Sequence, residues 1–206
     1  MYITASSVIS SRQVFVNRQL VFEDSKDVSA QQFLTNAYKQ AGFDYPKFYK
    51  MDNLSKLGWL GAEYLLSKNA GAYERIKHLP PESVCLLLMN ASSSLDTDKR
   101  YYATVAQMAS PALFVYTLPN IVMGEICIRQ GWKGENMFLI SEKFEPKMLH
   151  QQVSLLMHDK GNDACLCGWV EWLGESYQLA LFLVEKNSAA QSITFTPENI
   201  KTIYPD

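Results

Sequence analysis

Residues Tyr116–Asn136 read YTLPNIVMGEICIRQGWKGEN, and their reading decides the fold. Pro119 and Asn120 stand just ahead of an apolar pattern at helical spacing, with Asn120 the expected cap and Gly131 the expected stop. The run NMFLIS that comes next reads as a strand. The bend after it, EKFEPK (142–147), holds no cysteine, serine or histidine, the residues an enzyme commonly sets on such a turn.

Outward from this stretch, helix and strand patterns alternate. Upstream, ESVCLLLMN (82–90) is an uninterrupted apolar run, the pattern of a central strand buried on both faces. It leads into a small polar loop, ASSSLDTD (91–98), and a short helical segment around YYATVAQM (101–108). Further back, Asp52 is placed to cap a helix over NLSKLGWLGAEYLLSK (53–68), with Leu54, Leu57, Gly61, Tyr64 and Leu65 on its inner stripe. Gly58 and Gly61 each weaken a helix by about 1 kcal/mol relative to alanine, which close approach of another backbone would explain. Ser29 is the expected cap of the helix 29–42, whose face carries Ala30, Phe33, Leu34, Ala37, Tyr38 and Ala41. The N-terminal segments 2–9 and 13–22 have strand composition.

Downstream, EPKMLHQQVSLLMHDKG (145–161) reads as a helix with Pro146 in its first turn and Gly161 beyond its end. ACLCGWVEW (164–172) and YQLALFLVE (177–185), separated by LGES, read as an antiparallel hairpin. Residues 187–206 are expected to supply a C-terminal edge strand at ITFT or an interface arm. The sum is one α/β layered domain over 1–206 with a mixed sheet.

Several functions are disfavoured at this level. Nineteen basic and 21 acidic residues give a net charge of −2, so the electrostatic footprint of a nucleic-acid binder is missing. No apolar run reaches the ~18–20 residues of a membrane span, and no basic-then-apolar leader opens the chain. Cys85, Cys127, Cys165 and Cys167 lie in apolar segments and read as reduced, buried thiols of a cytoplasmic protein. Cys165 and Cys167 share a strand face but lack a second ligand pair, and His150 and His158 are poorly spaced for one metal, so no metal site and no cofactor are expected. Asp96 and Asp98 read as turn or cap residues rather than cation ligands. The aromatic loop 43–51 is either an exposed anchor or a piece of core.

The segment SPALFVYTLPNIVMGEICIRQGWKGENMFLIS (110–141) resembles the part of β-ketoacyl-acyl-carrier-protein synthases that precedes their active-site cysteine. Those enzymes have the thiolase-like fold. They carry Pro-x-x-Phe, a Pro-Asn pair opening a helix, a Gly-x-x-Gly-Pro-Asn turn, and a strand leading to the nucleophile bend. The matching positions here are Phe114, Pro119, Asn120, Gly134 and Asn136. MDNLSKLGWLGAEYLL (51–66), SVCLLLMNASSS (83–94) and GNDACLCGWVEWLGESYQLALFLVE (161–185) are similar to other parts of the same half. The resemblance implies a thiolase-like half-domain with a five-stranded mixed sheet flanked by helices. It places the nucleophile position at Lys143, with Ser141, Glu142 and Phe144 around it, so the cysteine is missing. The family's catalytic histidines belong to a second half that this chain does not match.

The function this resemblance implies is that of a noncatalytic ketosynthase-like subunit in fatty-acid, polyketide or aryl-polyene type biosynthesis. Its expected partners are an active ketosynthase or a second copy, with acyl carrier protein as a further one. The alternatives are an acyltransferase or thioesterase using Ser141 or the serines 92–94, and an acyl-ligand-binding module.

Overall fold

A computed structural model describes residues 1–67, 71–158 and 160–204; Lys68, Asp159 and the last two residues of the expected C-terminal arm lie outside them. The chain opens with β1 (Tyr2–Ser10), β2 (Gln13–Val16) and β3 (Gln19–Glu23), followed by α1 (Ala30–Gln40), α2 (Asn53–Leu66) and α3 (Ala72–Ile76). Then come β4 (Val84–Asn90), α4 (Leu95–Val105), α5 (Pro111–Phe114), α6 (Ile121–Gln130) and β5 (Asn136–Ile140). The order ends with α7 (Pro146–His158), β6 (Ala164–Leu173), β7 (Ser176–Glu185), β8 (Ile193–Thr194) and α8 (Pro197–Ile203).

The sheet runs β3-β2-β1-β7-β6-β4-β5, with β8 paired to β1. β4 is parallel to both β5 and β6, while β7 is antiparallel to β6 and β1. The block β1-β7-β6-β4-β5 is the expected five-stranded mixed sheet, but among the described residues the sheet has eight strands. Two of the extra strands arise at residues 13–23, which divide into β2 and β3, and the third is β8 in the C-terminal segment. Asn17 and Arg18 take φ of 49° and 66°, and Ser11 and Arg12 take 49° and 64°, so two successive two-residue turns fold the N-terminus into a meander. Arginine in that conformation gives little warning in sequence.

Two apolar layers cover the sheet. On β4, Val84, Leu86 and Leu88 face a core shared with α1, α2 and α6. Cys85, Leu87 and Met89 face a second core shared with α7 and α8. All seven β4 residues are buried, which is why the run carries no polar alternation.

α2 is the central helix of the first layer, and every residue in it but Lys56 is buried. Asp52 caps it, accepting from the Ser55 amide at 2.9 Å. The tolerance of its two glycines has a different cause from the expected one. A Cβ on Gly58 would collide with the Val122 side chain of α6, and one on Gly61 would lie 2.6 Å from Leu179 of β7. Side chains, not a backbone, occupy the space.

The aromatic loop folds back onto this core. Tyr38 stacks on Phe48 at 4.3 Å between centroids and Tyr45 on Trp59 at 5.2 Å, leaving Tyr49 half exposed. The loop expected over 91–98 is helical from Leu95 onward. Asp96 and Asp98 sit in that first turn, where carboxylates complement the helix dipole. In the C-terminal segment, β8 pairs with Tyr2 and Ile3 and α8 packs beside α7.

Candidate functional site

The bend between β5 and α7 holds the four residues picked out by the resemblance, and they point to different places. The Ser141 amide donates to the Asn90 carbonyl at 2.9 Å, extending the β4–β5 ladder by one bond. Phe144 is buried, its ring 5.5 Å from Tyr204 and 5.9 Å from Trp169. Glu142 is exposed. The Lys143 side chain is 79% exposed, with Glu145 at 3.6 Å. A pair that exposed contributes little.

Among the described residues, no histidine is hydrogen-bonded to Ser141 or to the serines 92–94. The serine loop is held by its neighbours. Glu171 accepts from the amides of Ala91 (2.6 Å) and Ser92 (3.2 Å), and the Asn90 carboxamide brackets Ser93 through its N–H and C=O. The Ser94 hydroxyl donates to the Thr117 carbonyl at 2.7 Å. His150 lies against the Phe195 ring at 5.3 Å.

The cysteines give no substitute nucleophile. All four are buried and none is at the bend. Burial pushes the Cys127 and Cys165 thiols up, and a hydrogen bond to Cys165 together with burial does the same for Cys85. A thiol held protonated is a poor nucleophile.

What does converge is a cleft of about 430 Å³ between the start of α6 and the outer strand β5. Pro119, Asn120 and Asn136 line it, together with Ile121, Met123, Gly124, Phe138 and Ile140. Phe114 and Gly134 lie outside its lining. Phe114 is exposed beside Tyr101, while Gly134 passes so close to the Val84 carbonyl that a side chain there would collide with it. Asn120 occupies the cap position of α6 but its side chain makes no capping bond, because its backbone is already in the helical region (φ −70°, ψ −9°).

β5 is the last strand on its side of the sheet. The Glu135 carbonyl accepts from Leu86, and the Ser141 amide reaches Asn90, so the odd-numbered residues bond to β4. Asn136, Phe138 and Ile140 therefore turn their backbone N–H and C=O outward. The segment 95–118, which leads into the Pro119–Asn120 wall of the cleft, carries large exposed apolar side chains: Tyr102 (78%), Met108 (83%), Val105, Phe114, Val115 and Leu118. Thr97 is the sole residue of α4 that is buried.

Polar groups hold that segment down. The Thr97 hydroxyl donates to buried Asp52 at 2.7 Å, and burial pushes the Asp52 carboxyl up. The Tyr116 hydroxyl donates to Glu125 at 3.1 Å; burial and that carboxylate together push the phenol up. Glu125 is itself buried, with the Lys47 ammonium 2.7 Å from its Oε2 as an ion pair.

Sequence reasoning missed the edge and most of the cleft lining. MFLI reads as a buried strand whichever side lies open, and Gly124 looks like any helix glycine.

No protein-family model and no curated protein matches the chain. Solved structures do. One, the ishigamide ketosynthase/chain length factor, gives a TM-score of 0.63 at 16% identity, covering 92% of this chain and 63% of that one. The ketosynthase ApeO in complex with its chain length factor ApeC from Xenorhabdus doucetiae gives 0.57 at 11% identity, covering 92% and 81%. The complex AntDE:AntF, a type II polyketide synthase acyl-carrier protein with its ketosynthase, gives 0.58 at 13% identity, covering 89% and 62%. The chain thus spans under two thirds of the length of two of these three. No single helix among its described residues is long and apolar enough to cross a membrane. In fold, the chain is like these ketosynthase and chain length factor structures: a mixed sheet flanked by helices.

Proposed function

We propose that this chain is a noncatalytic, ketosynthase-like accessory subunit that pairs with an active ketosynthase along the open β5 edge. The observation that carries this reading is the bend after β5. A condensing enzyme takes the acyl group on a thiolate. Here the bend offers an exposed ammonium, a hydrogen-bonded strand end and a buried phenyl ring. The apolar side chains exposed on residues 95–118 supply what an association surface needs, and a stable interface covers about 800 Å² per partner. Pairs of ketosynthase and chain length factor among the structures of like fold support the partner class. Fatty-acid, polyketide or aryl-polyene type synthesis is the setting, and an acyl carrier protein is the further partner.

Co-expression with a full-length ketosynthase of the same host tests this. A stable complex is expected, with condensation activity that needs the ketosynthase's cysteine. The chain alone is expected to be inactive. Turnover by the chain alone, abolished by Ser141→Ala, would instead establish the acyltransferase reading.

A second reading rests on the cleft beside Gly124. Ile121, Met123, Phe138 and Ile140 in its lining suit an acyl chain and Asn120 and Asn136 a polar group on it, so the subunit holds part of the growing product. An acyl ligand co-purifying in native mass spectrometry, lost in Gly124→Leu, is the expected result.

A further inference from the structure

The outward-facing backbone of β5 fixes how two such edges can meet. This inference rests on the pairing reading above. A symmetric pair of identical chains is related by a two-fold axis, which makes their edge strands antiparallel. Residues with outward N–H and C=O must then stand opposite each other. An axis through Phe138 uses all three outward residues of each copy. A shift by one residue sets Asn136 or Ile140 opposite a position beyond the strand.

In the Phe138 register, Asn136 of each copy stands opposite Ile140 of the other, twice per dimer. Asn136 is exposed in the isolated chain, and Ile140 is half exposed. The Asn136 carboxamide oxygen has the Cys127 thiol at 3.5 Å, a weak donor, and its NH2 group makes no hydrogen bond to the described residues. Self-pairing would bury that NH2 group against a hydrocarbon side chain. A buried polar group without a partner disfavours the arrangement that buries it.

We infer that Asn136 selects against a second copy of this chain. The β5 edge takes a different chain, whose edge strand sets a hydrogen-bonding side chain opposite Asn136 and an apolar one opposite Ile140. One polar position on an otherwise apolar seam then decides the partner, as repulsive elements do in other specific interfaces.

The test is sedimentation equilibrium of the wild type, Asn136→Val, Ile140→Pro and Asn136→Val/Ile140→Pro, each also titrated with the full-length ketosynthase. Ile140→Pro removes an outward N–H and leaves the β4 ladder intact. The wild type is expected to be monomeric alone. Asn136→Val should tighten self-association about tenfold, from two replaced cross-strand pairs, and the added proline should abolish the gain. A wild-type homodimer that Ile140→Pro dissociates would overturn the inference. So would an Asn136→Val protein that stays monomeric while the wild type binds the ketosynthase. Ketosynthase binding that survives Ile140→Pro would instead defeat the pairing reading itself.

Discussion

Gly61→Ala offers a sharp test of the packing between α2 and β7. The added Cβ would lie 2.6 and 2.7 Å from the two methyl carbons of Leu179 and 3.2 Å from its Cγ. Non-bonded carbons rest at about 3.5–4.0 Å, so helix and strand must separate by roughly 1 Å or Leu179 must leave its rotamer. Leu179 is fully buried, and overpacking of this kind costs about 1–3 kcal/mol. Alanine returns about 1 kcal/mol of helix propensity, so the net loss is about 0–2 kcal/mol. A double-mutant cycle separates the two terms. Leu179→Ala alone should cost about 2–5 kcal/mol by cavity formation, and alanine at 61 should partly fill that cavity. The pair should then be less destabilised than the sum of the single changes by about 1–3 kcal/mol, read from urea midpoints. Additive effects, or a Gly61→Ala protein more stable than wild type, would refute the close contact.

Gly124→Ala is the counterpart, because nothing lies within 4 Å of the position its Cβ would take; it should stabilise by about 1 kcal/mol and raise the melting midpoint by about 2–4 °C. Asp52→Asn should keep the bond from the Ser55 amide and reverse the one with Thr97, the new NH2 group donating to the hydroxyl, while removing a buried charge. The folded-state pKa of Asp52 is raised above its ordinary value of 3.8, so its ionisation costs the native state stability above that folded pKa. The cost lifts as pH falls toward 3.8; the advantage of the asparagine variant in paired pH melts should therefore be largest near neutrality and vanish in acid. Lys47→Met strips buried Glu125 of its cation and should cost about 2 kcal/mol, reduced from the fully buried case because Lys47 is 42% exposed; Glu125→Gln in the same chain should recover most of it. Lys143→Cys puts a thiol on the exposed bend, where it should alkylate like a free cysteine and give no condensation, since no base accompanies it.

The layered core was legible because its physics is local. β4 announced itself by seven apolar residues, α2 by the Asp52 cap and its stripe, and β6–β7 by a turn-sized gap holding Gly174 at φ 62°. The division of the N-terminus into β1, β2 and β3 was not, because the turns at Ser11-Arg12 and Asn17-Arg18 lack glycine. At the site, the bend's lack of a cysteine can be read in the sequence, but only the resemblance marks that bend as a nucleophile position. The open edge was not legible. Whether an apolar strand is central or terminal depends on which strands flank it, and β5 is settled by pairing with β4 alone.

The sheet order carries a consequence for biosynthesis. Tyr2 pairs with Glu185 and with Thr194, so β1 waits for two much later strands before its ladder is complete. At about 5–20 residues per second, the N-terminal meander stands beside the ribosome for roughly 10–40 s without β7. During that time β1 is an unfilled edge with apolar neighbours, the hazard that chaperones guard against. Slow translation would lengthen that exposure, and the yield of folded subunit should respond to it more than to any change at the bend.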